Sequence, residues 1–137
     1  MTAVHGMTKM LHEHDPREAL MSESLCGSVD VLHNNILVAI YVRPDKTHGG
    51  IALPERIRKE DVYQGKVGIV LKKGPLAFVD DDRNKFAGKD VNPGDWIAFR
   101  AQDGWTLDLQ GVTGPVPCRV LEDVHVKMVL LAPDAIY

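Results

Sequence analysis

Positions 36 to 42 read Ile-Leu-Val-Ala-Ile-Tyr-Val, an apolar run without a break and rich in β-branched side chains. A half-exposed strand alternates apolar with polar, so a run this short and continuous predicts a strand covered on both faces. It sits in a segment that opens at Val29 and is ended by Arg43-Pro44-Asp45. Gly65-Lys66-Val67-Gly68-Ile69-Val70-Leu71 predicts a second strand, turned by Lys72-Lys73-Gly74-Pro75. Leu76 to Val79 predicts a short strand, followed by Asp80-Asp81-Asp82 and a polar loop to Asp90. Val91-Asn92-Pro93-Gly94-Asp95 carries Pro-Gly at the centre of a turn and feeds a strand at Trp96 to Phe99. Thr106 to Leu109 alternates weakly, and Cys118 to Leu121 and His125 to Leu131 predict the last strands. Short strands punctuated by turn residues predict an all-β fold, a small barrel or sandwich.

Two stretches interrupt this pattern. In residues 1–29, Asp15-Pro16-Arg17-Glu18 is a helix start, with Asp15 as N-cap and Pro16 at the first helical position. Ala19, Leu20 and Met21 continue it and Cys26-Gly27 stops it. So short a helix is marginal alone in water, so it must dock on its own body or on a partner, or stay mobile. The second stretch, 45–64, holds Gly49-Gly50, Pro54 and the charged run Glu55 to Asp61. It predicts a loop of about 20 residues, a length usually tied to function or mobility.

Charge sharpens the division. The 137 residues carry a formal net charge of −3. Lys9 and Arg17 face Glu13, Asp15, Glu18, Glu23 and Asp30 in the first 30 residues, while the remainder balances to zero. The chain is therefore an acidic arm, 1–29, joined to a body, 30–137, that is neutral from residue 31 onward. This balance lacks the basic footprint of a dedicated nucleic-acid binder. No apolar stretch approaches the roughly 18 residues of a membrane span, and the charged N-terminus predicts no secretory signal. Cys26 and Cys118 make no disulfide framework and fit a reducing compartment.

Candidate chemistry adds little. His5, His12 and His14 lie near Glu13 and Asp15, but an arm lacks the fixed geometry a metal needs. Asp80-Asp81-Asp82 has no glycine and closing glutamate at the offsets of a calcium loop, and predicts an exposed acidic turn. Cys118 with His33 or His125 is a conceivable nucleophile pair, yet a cysteine within Cys-Arg-Val-Leu predicts core. No phosphate-cradling glycine loop occurs. The reading is of a protein that is not an enzyme and holds no metal or cofactor.

What stands out is Lys46-Thr47-His48-Gly49-Gly50-Ile51-Ala52-Leu53-Pro54, two glycines followed by apolar side chains inside a polar loop. One reading is a strand start pinned under the sheet; the other is an apolar tip that docks in a partner's groove. The segment resembles the mobile loop of the GroES family of co-chaperonins, with Gly-Gly-Ile-x-Leu-Pro intact. Val31 to Val38 resembles that family's opening strand, although Asn34-Asn35 replaces the usual Asp-Arg. Gly65 to Val70 is similar to its Gly-x-Val strand, and Val91 to Phe99 to its Val-x-x-Gly-Asp-x-Val-x-Phe element. Val120 to Leu130 resembles the C-terminal strands in degraded form. The arm is not a family feature, and Arg100 to Pro117 is longer than usual.

The resemblance implies a small irregular β-barrel that assembles as a homo-heptameric ring in the cytoplasm. It implies a mobile loop at 45–64, a roof-like hairpin at 72–89, and a chaperonin-binding segment of Gly49, Gly50, Ile51, Ala52, Leu53 and Pro54. ATP would be bound by the partner chaperonin, not by this chain. Divergence with an extension also fits a bacteriophage-encoded relative. It leaves a rival role open: a capsid-decorating or assembly component of a virion, in which arm and loop clamp neighbouring viral proteins.

Overall fold

A computed structural model describes residues 12, 14–24, 26–44, 52 and 54–136. Among the described residues two α-helices, α1 (Pro16–Glu23) and α2 (Glu55–Gln64), accompany six strands. The strands are β1 (Asn35–Ile40), β2 (Val67–Lys73), β3 (Trp96–Ala98), β4 (Trp105–Gln110), β5 (Pro115–Glu122) and β6 (Met128–Leu130). They form one sheet in the order β4-β5-β1-β2-β3-β6, with every neighbouring pair antiparallel. This is the small all-β fold that the spacing of strands and turns predicts.

β1 occupies the middle of that order and is covered on both faces, as its continuous apolar run requires. Leu37, Ala39 and Tyr41 enter one cluster with Ile69, Trp96 and Cys118. Ile36, Val38 and Ile40 enter a second with Val70, Ile97 and Phe99. The β1–β2 register breaks once: Leu37 faces Lys72 and Val38 faces Val70, which leaves Leu71 as the extra residue of a bulge.

The arm helix forms where its start signals place it, with Asp15 Oδ1 accepting from the Arg17 N–H at 3.0 Å. It docks on its own body. Leu20 and Met21 pack against the first cluster. The Val112 N–H donates to the Glu23 carbonyl at 2.9 Å, and Ser24 forms an antiparallel bridge with Gly111. Glu23 Oε1 accepts from the Thr113 N–H at 2.7 Å and from its hydroxyl at 2.5 Å. Lys72 Nζ ties down the end of the arm by donating to the Val29 carbonyl at 2.5 Å.

Four expectations are corrected. Residues 55–64, expected as the second half of a loop, form α2. Their side chains are mostly good helix formers, but none of the apolar ones is fully buried, so no apolar stripe announces the helix. Leu76 to Val79 is turn rather than strand: Phe78 takes φ +63°, and the Ala77 and Val79 N–H groups bond back to Gly74 and Leu76. The expected roof-like hairpin at 72–89 is accordingly the end of β2 followed by turns, with no strand in 74–89. The segment from His125 splits as well. A 3-10 turn at Asp123–His125, where the Glu122 N–H donates to His125 Nδ1 at 3.0 Å, leaves only Met128–Leu130 paired.

Candidate functional site

The region singled out by sequence hangs between two anchored points. β1 delivers the chain to Arg43 and Pro44, and α2 takes it back from Pro54. Gly49, Gly50, Ile51 and Leu53 lie outside the described residues. Ala52 and Pro54 are exposed, and Pro54 stands at the N-cap of α2 with φ −57°.

The two stems are joined at the root. The Asp61 carboxylate is the buried side chain of α2, its side chain 4% exposed. It accepts three bonds from Arg43: the backbone N–H at 2.9 Å, Nε at 2.9 Å and Nη2 at 2.8 Å. Two of these form the bidentate fork that suits guanidinium to carboxylate, and charge strengthens them all. Arg58 Nε, one turn earlier, donates to the Arg43 carbonyl at 3.0 Å. The return from α2 is tight. A Cβ on Gly65 would lie 2.2 Å from the Asp61 carbonyl oxygen and 3.0 Å from Ile40 Cγ2, so glycine alone allows this approach.

The far end of α2 rests on a buried cation. Arg119, only 2% exposed on β5, donates through Nη2 to the Tyr63 carbonyl at 3.0 Å. Its Nη1 bonds the Ala101 carbonyl and reaches the Asp103 carbonyl at 3.3 Å. The guanidinium carbon lies 5.4 Å from the Phe99 ring centre. Burial pulls its pKa below the ordinary guanidinium value. A cation at a helix C-terminus complements the partial negative charge of the terminal carbonyls.

The other candidates resolve into ordinary structure. The acidic run builds its own turn: Asp81 Oδ1 accepts from the N–H groups of Arg83 and Asn84, and Asp80 Oδ1 from that of Phe86. Those bonds hold the Asp81 carboxyl below its usual range. His12 Nε2 meets the Tyr41 hydroxyl at 2.7 Å. Among the described residues no three His, Cys, Asp or Glu side chains gather to hold a metal. Cys118 is core, and burial pushes its thiol up to about 12, far from nucleophilic use.

Sequence reasoning missed Arg43, Arg58, Asp61 and Arg119. Only Arg119 left a signal, a lone cation inside the apolar run Cys-Arg-Val-Leu.

A six-stranded antiparallel body with one long connection between its first two strands, braced at its root, is built like a co-chaperonin subunit. The family model of the chaperonin 10 kDa subunit (Cpn10) matches residues 28–113, and the chain belongs to that family. The match runs from the end of the arm through β4 and includes the connection and its root. The family is one of co-chaperonins, partners of GroEL-type chaperonins, and is not a family of enzymes. No curated relative matches the chain.

Proposed function

We propose that the protein is a ring-forming lid that docks on a chaperonin through Ile51-Ala52-Leu53 and closes its folding chamber, without catalysis of its own. The family membership carries this reading. The braced root supports it energetically. Burying Ile51 and Leu53 in a groove stabilises by roughly 1.5–3 kcal/mol each. Ordering free backbone costs about 1–2 kcal/mol for each residue that docking fixes, so one loop alone binds weakly or not at all. α2 removes its 10 residues from the stretch to be ordered. A ring of seven raises the effective concentration of the rest once the first has docked. Weak single contacts then allow release when the ATP-driven partner changes state. On this reading the protein works in the cytoplasm beside its chaperonin. The virion reading has arm and loop clamp neighbouring viral proteins; the described helix of the arm, α1, packs on its own sheet, which favours the lid. The test is a pull-down with a purified chaperonin and nucleotide. Ile51→Ser and Leu53→Ser each leave the assembly size unchanged and abolish capture and any effect on chaperonin ATPase. Capture of either variant at the wild-type level would refute the lid role.

A further inference from the structure

We infer that Asp61 is a positioning residue: through Arg43 it latches α2 to the body and thereby sets how much chain is available between the two anchored stems. Four observations converge. α2 has no fully buried apolar side chain, so burial alone does not hold it. A helix of 10 residues is marginal by itself in water. Its surface ion pair, Glu55 to Lys59 at 3.8 Å with both side chains about three-quarters exposed, adds little. What remains is polar: the three bonds from Arg43 to Asp61, the Arg58 bond to the Arg43 carbonyl, and the Arg119 bond to the Tyr63 carbonyl.

The placement of these bonds matters. Arg43 is the last residue but one before the connection, and Asp61 lies 18 residues later. Closing that pair fixes the exit and the return against each other. With α2 latched, residues 45–54 span the gap; with it released, residues 45–64 do. At about 3.3–3.6 Å per extended residue, that difference roughly doubles the reach from ~35 to ~70 Å. Doubling the length of a tether lowers effective concentration by about the 3/2 power of length, close to threefold per loop. The latch therefore trades reach against affinity at a point remote from the docking side chains. This consequence for docking rests on the proposed lid role; the latch itself does not.

The experiment is hydrogen exchange on the full chain, with chaperonin binding measured in parallel. In Asp61→Asn, amides 59–64 should exchange at least about 100-fold faster than in the wild type, while β1 and β2 keep their protection. Arg43→Lys retains the charge but loses the fork, and should shift the same amides in the same direction, less far. Binding to a purified chaperonin should weaken by about threefold per loop. Unchanged protection of 59–64 in both variants overturns the latch. So does faster exchange spread evenly over the sheet, which would mark a purely structural residue. Melting of α2 with undiminished chaperonin binding overturns the positioning role. A wild-type chain that binds no chaperonin rejects the lid role, and the exchange data then decide the latch alone.

Discussion

Replacing Leu20 and Met21 together by serine tests whether the arm belongs to the body. Both side chains are half-buried against the cluster of Leu37, Ala39 and Trp96. Full burial of such a side chain is worth roughly 1.5–3 kcal/mol, so half-burial gives about 1 kcal/mol each and about 2 kcal/mol together. The bonds from Thr113 to Glu23 and the bridge from Ser24 to Gly111 are untouched by the change. For a chain of this size, 1 kcal/mol moves the melting midpoint by about 3–5 °C, so the double variant should melt about 6–10 °C lower. Calorimetry at one fixed protein concentration reads this, since the proposed ring assembly would make the midpoint depend on concentration. α1 amides should lose protection first, because so short a helix does not persist undocked. A midpoint within about 1 °C of the wild type would refute the packing, for an undocked arm has nothing to lose. Capture by a chaperonin should persist, as the proposed docking segment 49–54 is intact.

Two further outcomes follow from the geometry. The two Thr113 bonds hold the Glu23 carboxyl below its ordinary 4.5, so its contribution to arm docking is present above that value and fades as pH falls through the lower folded one. The Thr113 amide resonance should report this acid titration, and Glu23→Gln should abolish it. In β2, a Cβ on Gly68 would lie 2.3 Å from Val38 Cγ1 and 2.7 Å from the Ala39 carbonyl oxygen. Gly68→Ala should cost about 1–3 kcal/mol in urea unfolding, and Val38→Ala should relieve part of it, with a coupling of at least about 0.5 kcal/mol. Strict additivity would remove the clash as the cause.

Elements that announce themselves by local chemistry are legible in the amino-acid sequence. β1 follows from an apolar run with no polar break, and α1 from Asp15-Pro16-Arg17-Glu18. α2 is not legible, because its stability comes from Arg43 and Arg119, 18 and 56 residues from their partners, rather than from a periodic face. Leu76 to Val79 looks like a strand by composition, but the His33 carbonyl takes the Leu76 N–H and Phe78 turns left-handed. The proposed docking segment is suggested only by family resemblance. Physics alone leaves Ile51 and Leu53 equally suited to a strand start. The root that braces them is invisible, since an ion pair across a loop leaves no mark in either neighbourhood.

The bulge at Leu71 decides where two neighbouring cations go. Side chains alternate along a strand, so Lys72 reaches back to the Val29 carbonyl while Lys73 faces Asp90 and Asn92 at 2.8 and 3.1 Å. An even ladder through the same residues would set Leu71 opposite Leu37 and Lys72 opposite Ile36, and so exchange the two lysines between faces. The tether of the arm and the brace of the 90–92 turn thus share a single parity. A frame of one residue in β2 keeps the two ends of the molecule in step.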